Sequence, residues 1–124
     1  MRPRAALLSL FLAACAAPDT IVGDEPRTAT ELAINPYEFH EECATLATGD
    51  RIDYRFDAQA PVTFQIYYKE GIAFISTVNR EDVRDAAGIF IVPAPRRYCL
   101  RWDAGQQGAL VDFRIRLTRA AKSA

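Results

Sequence analysis

From residue 51 onward, apolar and polar side chains alternate with a period close to two. Ile52, Tyr54 and Phe56 fall on one face of an extended strand, and Arg51, Asp53, Arg55 and Asp57 on the other. Asp57 to Pro61 reads as a turn. Val62, Phe64, Ile66 and Tyr68 then alternate with Thr63, Gln65 and Tyr67, and Lys69-Glu70-Gly71 predicts a short hairpin loop. Ile72 to Val78 is a further strand, apolar on both sides. Asn79 to Gly88 is the longest polar insert and predicts an exposed loop joining two sheets. Ile89 to Val92 is a short strand that Pro93-Ala94-Pro95 ends. Tyr98, Leu100 and Trp102 alternate with Arg97, Cys99 and Arg101, and Asp103 to Gly108 turns. Val111, Phe113, Ile115 and Leu117 then oppose Asp112, Arg114, Arg116 and Thr118. Upstream, Leu32 and Ile34 alternate with polar or small neighbours until Pro36, Tyr37 to His40 alternates again, and Thr48-Gly49-Asp50 turns.

Seven to eight short strands, with no amphipathic helix among them, predict an all-β fold: a small antiparallel β-sandwich of jelly-roll type. The inward set is Ile52, Tyr54, Phe56, Val62, Phe64, Ile66, Tyr98, Leu100, Trp102, Val111, Phe113 and Ile115. Each large side chain buried contributes about 1.5–3 kcal/mol before entropy is subtracted. Strict alternation puts Cys99 on the arginine face. A bridge from there would pin the Cys43 segment outside the sheet, unless a bulge near Pro95 shifts the register.

The N-terminus changes the picture. Arg2 and Arg4 precede an apolar run from Ala5 to Ala14, too short to span a bilayer. Leu12-Ala13-Ala14-Cys15 resembles the lipobox of bacterial lipoproteins. The resemblance implies cleavage before Cys15, lipid on its sulfur and anchorage in a membrane. Ala16 after that cysteine points to the periplasmic face of the outer membrane. The expected organisation is a signal peptide over 1–14, a lipidated Cys15 with a flexible tether over 15–30, a domain over 31–119 and a frayed end over 120–124. As a flexible coil the tether would span about 20 Å.

Without residues 1–14, 13 basic and 16 acidic residues remain, a net charge of −3. That argues against general nucleic-acid binding. With Cys15 lipidated, only Cys43 and Cys99 remain, and two thiols in an exported chain most often pair. Such a bridge would stabilise the fold by about 4 kcal/mol. The alternative is a pair of thiolate metal ligands.

Glu42-Cys43, Gly49-Asp50, Gly88-Ile89-Phe90 and Tyr98-Cys99-Leu100-Arg101-Trp102 together resemble the GOLD domain, the β-sandwich of Golgi cargo receptors. The resemblance runs from about Pro36 to Thr118. It implies a Cys43–Cys99 disulfide and a noncatalytic module that binds protein or lipid. It departs in having no coiled coil, membrane helix or sorting tail after the domain, and Tyr98 lies directly beside Cys99. Cargo sorting therefore does not carry over.

Few residues suggest a reaction. His40, the only histidine, sits in His40-Glu41-Glu42-Cys43, short of the three or four converging ligands of a closed metal site. Ser76 and Ser123 lie outside any nucleophile-elbow setting. No cofactor is implied. Residues 16–60 carry ten acids and three bases, and residues 61–124 six acids and ten bases. Arg97, Arg101, Arg114 and Arg116 would form one guanidinium patch if the last two strands were neighbours. That patch would meet anionic lipid, acidic glycan, an acidic partner or the protein's own early acids. The expected function is a lipid-anchored, noncatalytic envelope protein that binds another envelope component. A lysozyme-type enzyme inhibitor is the alternative, although the Ser/Tyr-and-Lys loop of the small lipoprotein inhibitors is not found. A metal-handling protein around His40 is third.

Overall fold

The apolar phase that starts at Ile52 continues through Ala58 and Ala60 to Ile66 without a break. The chain follows it. In the computed structural model, which describes residues 18–121, β3 is one strand of twenty residues, Arg51–Glu70. It follows β1 (Arg27–Ile34) and β2 (Phe39–Leu46), and precedes β4 (Ala73–Ile91), β5 (Arg96–Ala104) and β6 (Ala109–Thr118). Six strands therefore replace the seven to eight expected. The turn at Asp57 to Pro61 and the loop at Asn79 to Gly88 both lie inside long strands.

All pairings are antiparallel, and the order is β1-β6-β3-β5-β2, with β4 on β3. The first half of β3 pairs with β6 as far as Ala58, and the second half pairs with β5 from Val62. Gln59, Ala60 and Pro61 have no partner in either ladder. Proline, which lacks an N–H, is tolerated there. Here the sheet folds in half. One layer holds β1, β6, the start of β3 and the end of β4, and the other holds β2, β5, the end of β3 and the start of β4. The loops 35–38 and 105–108 cross the same fold line. Tyr37 N–H donates to Gly105 O at 3.1 Å, and Ala104 N–H to Glu38 O at 2.9 Å. All twelve residues of the expected inward set are buried between the layers.

Cys43 and Cys99 are bridged. They stand directly opposite on β2 and β5, on the outer face beside Tyr67. The Cys43 segment is thus a regular strand of the sheet, not a segment outside it.

The opposite end of the sandwich, away from the fold line, carries the turns 47–50 and 71–72 and the link 92–95. Asp50 organises it. Its buried carboxylate accepts from Ala47 N–H and Ala120 N–H, both at 2.8 Å, and from Arg119 at 3.0 Å. The N-terminal segment docks at the same end. Thr20 and Ile21 N–H both donate to Cys43 O, and Asp19 accepts from Thr45 N–H at 2.8 Å and from Arg97 at 3.1 Å. Ile21 is only 2% exposed. The expected flexible tether thus belongs to the fold from Asp19 onward, and β1 starts at Arg27 instead of Glu31. Cys15 and residues 122–124, including Ser123, lie outside the described residues.

Two measurements test this frame. At Gly108, φ is +67°, and a Cβ would sit 2.8 Å from Ile34 O. Gly108→Ala should therefore cost about 2 kcal/mol in urea unfolding, while Gly105→Ala, with open space around it, should stay within about 0.5 kcal/mol. Burial pushes the Asp50 carboxyl up, but donation from Ala120, Ala47 and Arg119 outweighs it and holds the group below its usual 3.8. A depressed carboxylate stabilises the fold above its unfolded value and loses that stabilisation as pH falls through the lower folded value. Asp50→Asn should cost about 2 kcal/mol at neutral pH, and its gap to wild type should narrow below about pH 4.

Candidate functional site

The two layers present different outer faces, because alternation along each strand sends odd-numbered side chains of β3 and β5 and even-numbered ones of β6 outward. On the second layer the charges are matched. Arg101 holds Asp103 through three contacts of 2.9–3.1 Å and lies over the Phe39 ring at 3.7 Å. Arg97 holds Asp19. Tyr67 OH donates to Glu41, and burial, followed by that carboxylate, pushes the phenol up to about 12.

On the first layer one row mixes charges and the two rows after it each carry one sign. Arg116, Asp53 and Ile89 lie side by side on β6, β3 and β4, followed by Arg114, Arg55 and Ala87, then Asp112, Asp57 and Asp85. Arg51 binds Asp53 through two nitrogens at 2.8 and 3.0 Å. Among the described residues no ion pair or hydrogen bond reaches Arg55 or Arg114, although they stand directly opposite each other. Like charges in that position are destabilising. With Arg51, Arg116, Gly88 and Ile89 they line an open groove of about 760 Å³.

The expected four-arginine patch is therefore divided. β5 and β6 are not neighbours: each pairs with its own half of β3. Arg97 and Arg101 lie on one outer face, bound to acids. Arg114 and Arg116 lie on the other, joined by Arg51 and Arg55. Pairing with the protein's own early acids holds for Arg97, through Asp19.

His40 faces the interior. Its Nε2 lies 3.2 Å from Glu42 Oε1, and its ring stacks on Phe113 at 5.8 Å. Glu42, 1% exposed, also accepts from Arg27 at 3.0 Å. Burial pushes the Glu42 carboxyl up, but His40, Thr20 and Arg27 together hold it below its usual value. Among the described residues, possible metal-ligating atoms converge at Glu41, Cys43 and Cys99. Both sulfurs there are in the disulfide, and His40 points to the opposite face of β2. Ser76 Oγ donates to the carbonyl of Val78.

Sequence reading missed the fold-line end. Tyr37 is 77% exposed with φ +60°, and its N–H is tied to Gly105 O. Half-exposed Phe39, under Arg101, lies beside it along the chain. Asn35, Pro36, Gln59, Gln107 and Leu110 line a recess of about 310 Å³ at the same end. In the sequence Pro36 marks an interruption of the alternation, which resumes at Tyr37. That this interruption presents an aromatic to solvent was not legible there.

No protein-family model matches the chain, and no curated protein sequence matches it. Solved structures do. A periplasmic lysozyme inhibitor of g-type lysozyme from Aeromonas hydrophila, PliG, aligns over 77% of this chain and 89% of its own, with 8% identity and a TM-score of 0.60. The Yersinia pseudotuberculosis-derived mitogen, YPM, aligns over 82% and 91%, with 7% identity and a TM-score of 0.53. At these identities, what this chain shares with both proteins is the folded antiparallel β architecture.

Proposed function

We propose that this chain is an exported, noncatalytic binding domain of the bacterial envelope, held by lipid on Cys15 and engaging a protein partner with its fold-line end. Tyr37 carries the reading. It is a large aromatic in water, on a backbone tied to Gly105 across the fold line. A tyrosine has only two side-chain torsions to fix on binding, and Tyr and Arg are enriched among residues that dominate interfaces. Phe39 under Arg101 supplies a second anchor. The lipobox-like Leu12-Ala13-Ala14-Cys15 supports the anchor, and Ala16 favours the periplasmic face of the outer membrane. A disulfide suits an oxidising compartment. The resemblance to GOLD domains supports a module that binds protein or lipid.

A second reading makes the partner a lytic enzyme, with this domain as its inhibitor. The likeness of fold to PliG favours it. Titrating a g-type lysozyme with the purified protein separates the readings. Inhibition that Tyr37→Ala weakens about tenfold or more would establish the inhibitor. Without inhibition, the general reading requires a specific envelope protein captured by wild type and lost by at least about tenfold in Tyr37→Ala, at an unchanged melting temperature. Equal capture by both proteins would sink the assignment of this end. Intact mass of the membrane-extracted protein tests the anchor: cleavage before Cys15 plus added acyl chains is the expected result.

A further inference from the structure

We propose that the end opposite the fold line is a membrane seat, with the tip of the β3–β4 hairpin dipping into a bilayer that contains anionic phospholipid. The inference rests on the lipid anchor at Cys15. If that cysteine is acylated, only Ala16, Ala17 and Pro18 separate it from Asp19, the first residue stitched to the sandwich. Four Cα steps reach about 14 Å at most. The N-terminal segment attaches beside Thr45, and Arg119 donates to the Thr45 carbonyl at 3.0 Å. The domain must therefore rest on the bilayer with this end toward it.

What this end presents fits such a surface. Ile72, at the hairpin tip, is 99% exposed. Phe74, also exposed, packs beside Tyr67 at 5.2 Å, and Lys69 lies over its ring at 5.1 Å. An apolar tip with a lysine beside it suits a membrane interface: the apolar part enters and the ammonium stays at the headgroups. At this end four acids are engaged by arginines, and exposed Asp24 lines a recess with Arg116 and Arg119. Asp19 is held by Arg97, Asp50 by Arg119, Asp53 by Arg51, and Glu70 lies 4.0 Å from Arg96. On the first layer, the arginine groove opens toward this end at Arg51 and Arg116, and the aspartate row of residues 57, 85 and 112 lies toward the fold line. The charge gradient along the sandwich thus points its cations at a negative surface. Tyr37, at the other end, is left facing away from the membrane.

The test uses tryptophan depth. Trp102, the only tryptophan, is buried in the core and supplies a constant baseline. The full lipidated protein is reconstituted in vesicles of phosphatidylcholine and phosphatidylglycerol carrying brominated acyl chains. Ile72→Trp should show blue-shifted emission that bromine quenches, and Tyr37→Trp should show no quenching beyond wild type. Equal quenching at both positions, or none at Ile72→Trp, would overturn the seat. A mass without acyl chains would remove the anchor and leave the seat to be decided with the unlipidated chain and added vesicles. There, quenching at Ile72→Trp upholds it and lack of quenching overturns it. In that unlipidated chain, Ile72→Asp should weaken binding to phosphatidylglycerol vesicles about tenfold or more. Unchanged binding counts against the tip.

Discussion

Four extended ribbons, residues 27–46, 51–70, 73–91 and 96–118, bend across one line, and each must keep its apolar side inward through the bend. Each solves it locally. Two ribbons break into loops, at 35–38 and 105–108. β3 stays continuous and lets Gln59 to Pro61 leave the ladders. β4 gains an extra residue near Asp82, which sits at φ +55°. Gly108 permits a close backbone approach at this line, where Ile34 O would meet any Cβ. Because β3 and β4 run through both layers, the layers cannot slide apart without breaking the longest hairpin.

One consequence is that the two ends of the sandwich differ in kind. At the fold line two tight loops lie beside the continuous β3 and β4, and one of them leaves Tyr37 in solvent. The other end gathers free strand ends and must be fastened by side chains. Asp50 ties the turn before β3 to the residues after β6, and Asp19 ties the N-terminal segment to β2 and β5. The disulfide joins the strands nearest that segment. A chain anchored close to Asp19 and recognised through Tyr37 would use both ends for different tasks, with the stapled sandwich as a spacer between them.

The outer edge explains why β4 reads poorly in sequence. Among the described residues it pairs with β3 alone, and most of its side chains are exposed. Arg80, Glu81, Asp82, Arg84 and Asp85 line it with charge, which discourages pairing with another chain's strand. An edge strand with little to bury shows no clean period, so its charged centre looks like a loop. Pro61 misled in a similar way, since proline marks turns far more often than unpaired strand corners.

The sequence by itself determined which side chains face inward. The twelve alternating residues from Ile52 to Ile115 are all buried, because a strand's period of two fixes facing locally, before any partner is chosen. The paired cysteines were legible from their number and expected compartment. Tertiary structure alone decided which strands became neighbours. It placed β3 between β5 and β6 and so divided one supposed arginine patch between opposite faces. It merged four expected strands into two long ones and took Asp19 to Ile21 out of the tether. These outcomes depend on hydrogen bonds between residues tens of positions apart, and side-chain periodicity along one strand carries no record of its partner.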